Sequence, residues 1–378
     1  MKLRNNSSLH KIFYSLILGF HRRQVIDNIR QNVGKKQFNA KAELNDPVEE
    51  KSLYTDTPVV HKYLKEMNAV TFGQDPDSVT VGEMSSTTIA NSIEYSKPSE
   101  HELSMVFTFH HLKVDYKDGE KWSKMPFDFM KLKELFTEWQ EKMDQGGGWN
   151  ALFWNNHDQP WALNRFGNTG KYREKSAEML ATATHLMREE IGMMDPDYSS
   201  MNDYVDVEAK NAFKELTAKG MSEKDAFEII KTKARDNSRV PMHWDDSQYA
   251  GFSDVKPWLM PTDQNQVNVE KELASGEIFD YYQKLIKLRK NEKLISDGHI
   301  KMFLKDHPQV FAYERFLDNS DKKLLVFTNF YGKECQAKLP KEYVNKNYQV
   351  LISNYEHNSN QFKQEIILKP YEALAVVI

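Results

Sequence analysis

The chain has 378 residues, 40% of them hydrophobic, which is enough for two domains with substantial cores. A formal net charge of -4, from 51 basic and 55 acidic side chains, offers no basic field to a nucleic acid. The single cysteine, Cys335, excludes an intramolecular disulfide framework and suits a reducing, cytoplasmic setting. Lys2 and Arg4 precede an apolar run at 12–18 that is too short to span a bilayer and lacks a small-residue cleavage site. It reads as the approach to a strand at 16–27, and no membrane partner is expected. Further along, 59–67 reads as a helix, with Thr57 placed to cap it and Pro58 in its first turn. Strands follow at 78–82 and 103–109, then a helix at 127–143 with Phe129, Leu132, Leu135, Phe136 and Trp139 on one face. Gly146, Gly147 and Gly148 break that helix before a strand at 151–154. Helices are predicted at 176–187, over the Lys-, Glu- and Ala-rich stretch 206–234, and at 278–290. Beyond about 295 the texture changes to short β-type runs at 310–313, 323–330, 348–352, 365–368 and 373–378. Alternating strands and helices followed by strands alone predict an α/β domain and then an all-β one.

Two of the apolar strands end in a carboxylate. Thr80-Val81-Gly82-Glu83-Met84 offers Glu83, and Phe153-Trp154-Asn155-Asn156-His157-Asp158 offers Asp158. Acidic groups displayed at strand ends are how barrel enzymes assemble glycosidase sites. A third strand, 16–27, presents an amide, Gln24, where such chemistry wants an acid. The structural alternatives are solvated loop residues or a helix cap for these carboxylates, a loop-anchoring ion pair for Arg239, and a solvated lysine for Lys113.

In combination, Gly82-Glu83-Met84, Asn156-His157-Asp158 and the run from Ala234-Arg235-Asp236-Asn237-Ser238-Arg239 to Trp244-Asp245 resemble the α-glucosidase branch of the α-amylase family (glycoside hydrolase family 13). Glu83-Met84-Ser85-Ser86-Thr87-Thr88 and Phe109-His110-His111-Leu112-Lys113-Val114-Asp115-Tyr116 are most similar to its phosphotrehalases, which split trehalose 6-phosphate into glucose and glucose 6-phosphate. Oligo-1,6-glucosidases are the nearest alternative. The resemblance implies a retaining mechanism with Glu83 as acid/base and Asp158 stabilising the oxocarbenium-like transition state. It implies sugar contacts from His157, Arg239 and Arg22, and cations for a sugar phosphate from Lys113 and His110, with His111 beside them. The expected partner is a small sugar or sugar phosphate. No cofactor and no metal are expected.

Three departures from the family pattern bear on activity. The nucleophile motif is Gly-Phe-Arg-x-Asp-Val-Ile; aligning Arg22 with Val25-Ile26 puts Gln24 at the nucleophile, with one extra residue after Phe20. An amide cannot form the glycosyl ester, and Asp27, further along the strand, is a poor substitute. The chain also begins near the family's fourth barrel strand, and His185-Leu186-Met187-Arg188 runs straight into Glu189-Glu190-Ile191-Gly192, where the last barrel strand is expected. The sequence thus predicts an incomplete (β/α)8 TIM-type barrel over 1–292 and a C-terminal antiparallel β-sandwich over 293–378. The expected copy is an impaired hydrolase, or a non-catalytic remnant binding sugar weakly through Glu83, His157 and Asp158.

Overall fold

A computed structural model describes residues 56–186 and 193–378. The expected strand at 16–27, with Arg22 and Gln24, and the junction at 187–192 lie outside the described residues. The described chain divides into two compact units, 56–108 with 142–151, and 109–141 with 152 onward.

The smaller unit is built on a sheet of order β1-β2-β3, from Val81–Met84, Met105–Thr108 and Asn150–Ala151. All three strands are parallel, with Glu83 opposite Phe107 and Val106 opposite Asn150. Parallel strands need crossover connections, and helices supply them: α2 (Ile89–Ser96) between β1 and β2, and α3 (Phe129–Gly146) between β2 and β3. Helix α1 (Pro58–Val70) precedes the sheet; Thr57 stands at its N-cap, but its side chain makes no capping bond there. Thr88 does cap α2, its hydroxyl accepting from the Asn91 amide at 3.2 Å. The glycine break ends α3 as expected. Gly147 takes φ +74°, and the Gly147 and Gly148 amides donate back to the carbonyls of Asp144 and Met143 at 3.1 and 2.9 Å, a left-handed helix stop. A Cβ on Gly148 would lie 2.9 Å from the backbone of Ile93. The strand expected at 151–154 pairs only over Asn150–Ala151, although residues 151–154 are all buried.

The larger unit holds most of α3, the helices that follow it and an all-β region. The stretch 206–234 is two helices rather than one, α5 (Val207–Ala218) and α6 (Glu223–Lys233), following α4 (Arg173–His185). Gly220 at φ +93° breaks the pattern, and Ser222 caps the second helix through the Asp225 amide at 3.1 Å. Helices α7 (Val269–Ser275) and α8 (Glu277–Asn291) lead into the strands. These are β4 (His299–Phe303), β5 (Val310–Phe316), β6 (Lys323–Asn329), β7 (Cys335–Lys338), β8 (Gln349–Ser353), β9 (Glu365–Leu368) and β10 (Ala373–Val377). Five form an antiparallel sheet of order β4-β5-β6-β10-β8, and β7 pairs with β9.

The central sheet is buried on both faces. Phe311, Tyr313, Leu324, Val326, Ala373 and Ala375 join a core with α3, α4 and α8, including Phe136, Leu180 and Leu285. Their neighbours Val310, Ala312, Leu325, Phe327, Leu374 and Val376 face the other way, onto Ala337, Ile366 and Leu368 of β7 and β9. Each fully buried Leu or Phe contributes about 1.5–3 kcal/mol. Double burial explains why these strands read as unbroken apolar runs instead of alternating.

Candidate active site

Asp158 is the centre of three predicted site residues, with His157 and Arg239, that the described structure brings together. It sits in a turn that its own sequence shapes: the Asn156 side chain accepts from the Asp158 amide at 2.8 Å, and the Gln159 amide returns to the Asn156 carbonyl at 3.1 Å. Arg239 reaches it from the far end of the 234–239 segment, a 3₁₀ turn over Arg235–Ser238. One guanidinium nitrogen donates to the Asp158 carboxylate while Nε donates to the His157 carbonyl at 2.6 Å. Arg239 thus fixes both the side chain and the backbone of the pair. His157 extends into solvent, with Nε2 3.6 Å from the second Asp158 oxygen.

Two further residues belong here that the sequence reading did not single out. Arg235 places a nitrogen 3.6 Å from Asp158 and gives its Nε to Glu208 of α5 at 2.7 Å. Beneath them lies a buried ionic triad. Asp115 takes Arg165 at 2.9 Å and Lys233 at 2.6 Å, all three side chains less than a tenth exposed. Burial opposes charge on Asp115, but the two cations outweigh it and hold its pKa below the usual carboxylate value. Arg165 also donates to the Gln159 side chain at 3.1 Å, and Lys233 ends the helix just before Arg235. The triad therefore clamps together the two loops that meet on Asp158. No sequence period signals it, because its members come from three separate elements.

Glu83 stands in the smaller unit, third residue of β1, with its side chain exposed. The preceding glycine packs closely: a Cβ on Gly82 would fall 2.7 Å from the tip of the Leu103 side chain and 2.8 Å from that of Met84, and both would have to move aside. The following Thr87 anchors the loop, its hydroxyl donating to Asp56 at 3.0 Å.

The His110–Lys113 segment is a 3₁₀ turn. It corrects part of the expectation of several cations. His111 is fully buried, with Nε2 2.6 Å from the Phe153 carbonyl, and burial pushes its pKa down to about 4. His110 lies tilted against Trp139, ring centroids 4.8 Å apart, and burial first, then Lys113, lowers its pKa too. In both cases burial favours the neutral ring. The charge on this turn rests with the exposed Lys113, and the buried Nδ1 of His110 has no hydrogen-bond partner among the described residues.

The family model for the α-amylase catalytic domain matches residues 5–298, and that for the α-amylase SusG C-terminal domain matches 310–374. The trehalose-6-phosphate hydrolase of Bacillus subtilis (strain 168) is 42% identical over 385 residues, covering 98% of this chain and 67% of that protein. The oligo-1,6-glucosidase of Parageobacillus thermoglucosidasius is 41% identical, covering 85% of this chain and 58% of its own length. Among solved structures, the trehalose-6-phosphate hydrolase of Bacillus licheniformis superposes with a TM-score of 0.81 at 44% identity, over 87% of this chain and 61% of that one. The chain therefore spans roughly three fifths to two thirds of the length of the relatives it matches.

Proposed function

The chain belongs to the α-amylase family, with a (β/α)-barrel catalytic domain and a C-terminal all-β domain, and from that premise we propose that it is a phosphotrehalase-type α-glucosidase whose own hydrolytic step is impaired. The observation that carries the site assignment is the grip of Arg239 on Asp158 and on the His157 carbonyl, which joins two motifs distant in sequence. In this reading Asp158 and His157 hold the sugar, Glu83 is the acid/base, Arg22 and Arg239 line the pocket, and Lys113 with His110 receives the phosphate. Gln24 removes the nucleophile, so the site binds without completing a glycosyl-enzyme cycle. The domains are taken as 1–292 and 293–378, and the setting as cytoplasmic. Among the described residues no helix is long and apolar enough to cross a membrane.

Titrating the full chain with trehalose 6-phosphate, trehalose and isomaltose tests the substrate class. The phosphorylated sugar should bind tightest, and Lys113→Ala should erase its advantage over trehalose. Arg239→Ala should weaken all binding about tenfold to a hundredfold, from the loss of a charge-assisted bond worth ~1.5–3 kcal/mol. Equal affinity for all three sugars would remove the phosphate assignment, and no binding to any would remove the site.

A further inference from the structure

We infer that His61, held between two carboxylates, is a proton-operated latch that fastens helix α1 to the segment leading into β2. The geometry is local to the smaller unit. His61 Nδ1 lies 3.1 and 3.0 Å from the two oxygens of Glu102, whose side chain is wholly buried. On the other side of the ring, Nε2 lies 3.7 Å from the half-exposed Glu94 of α2. The ring is clamped in this orientation by stacking on Tyr95 at 4.4 Å, and the Tyr95 hydroxyl is itself tied to Asp56 at 3.0 Å.

The next two turns of α1 use the same face. Lys65 places Nζ 2.7 Å from Glu100 and 3.6 Å from Glu102, and the Asn68 side chain donates to the Glu102 carbonyl at 3.1 Å. His61, Lys65 and Asn68 therefore grip residues 100–102 as a row along one helix face. The Glu102 side chain is wholly buried and pairs with His61 at 3.0 Å and Lys65 at 3.6 Å. When His61 loses its proton, both glutamates lose their ion pair with the ring. A histidine and two glutamates are also metal-ligand types. Here, however, both Glu102 oxygens face Nδ1 and Lys65 already supplies the positive charge, which marks a proton site.

Burial works against the charged ring, but the hydrogen bond and charge of Glu102, with the charge of Glu94, outweigh it and raise the His61 pKa. A raised folded-state pKa gives stability that is fully present below the ordinary histidine value, about 6.5, and is lost as pH climbs through the folded value. The latch is closed in mild acid and opens on the alkaline side.

Hydrogen exchange of the full chain between pH 6 and 9, corrected for intrinsic rates, reads the latch through peptides covering 58–70 and 97–108. Protection should fall with rising pH in the wild type. Glu94→Gln removes an exposed carboxylate without disturbing the buried pair, and its midpoint should move to lower pH. His61→Gln should leave protection independent of pH. Wild-type protection that does not change with pH, or a Glu94→Gln midpoint equal to the wild type's, overturns the inference. So does protection that rises with added zinc and falls with EDTA at constant pH.

Discussion

Lys133 is buried in α3, yet it ends in a cage of three carbonyls on the β4–β5 connection and the start of β5. Its Nζ donates to Leu304 and His307 at 2.6 Å each and to Val310 at 2.9 Å. Lys133→Met keeps the length and apolar stem of the side chain and removes only the donors. The buried Val310 carbonyl then stands unsatisfied, costing about 1–3 kcal/mol. The other two carbonyls are part-buried and rehydrate, so each forfeits nearer ~1 kcal/mol. Removing the buried ammonium returns some desolvation energy, since burial pushes the Lys133 pKa down to about 8. The net expectation is a loss of about 2–3 kcal/mol, read by urea unfolding, with faster hydrogen exchange over 299–316. The sign with pH is separately diagnostic. A lysine whose folded pKa lies below its unfolded value releases its proton first in the native state, so wild-type stability rises between about pH 8 and 10.4, and the variant should lack that rise. A loss under ~0.5 kcal/mol, or parallel pH curves, would refute the claim that the cage holds α3 to the sheet.

Glu178 of α4 is buried, and burial raises its pKa to about 7 despite Lys175 at 3.0 Å. A carboxyl raised in the folded state binds its proton more tightly there, so stability should decline as pH climbs from about 4 through 7. Glu178→Gln should flatten that decline in melts taken at pH 5 and 8. Asp115→Asn leaves Arg165 and Lys233 buried without their counter-charge, and should cost about 3–5 kcal/mol in denaturant. It should also loosen exchange protection over 155–161 and 234–239. Unchanged protection there would mean that the triad does not position the loops around Asp158.

Much of the fold is legible because hydrophobic period survives single-sequence reading. Helices α3 and α8 show it directly, and β5, β6 and β10 announce themselves as apolar runs of strand length. The misses have local causes. β4 carries Lys301 among its apolar residues, and β7 is a short, half-polar strand, so neither stands out. One glycine, Gly220, splits what composition reads as a single helix. Within the site, the meeting of His157, Asp158 and Arg239 follows from the family resemblance, since no period links residues so far apart. Arg235, Glu208 and the Asp115 triad were invisible for the same reason: they are charged residues among many, made special only by tertiary packing. The expected histidine cations failed because burial, which the sequence does not display, decides whether an imidazole stays charged.

The central claim is an α-amylase-family site that binds but does not turn over, and glucose 6-phosphate release from trehalose 6-phosphate tests it most directly. The purified chain should be assayed beside Gln24→Asp and Glu83→Gln. The account predicts no release above background from any of the three. Gln24→Asp should not rescue activity, because in the strand expected at 16–27 an extra residue after Phe20 would reverse which side chains face inward. Wild-type release that vanishes in Glu83→Gln would contradict the account, and would mean that another carboxylate, Asp27 first among candidates, has taken over the attack.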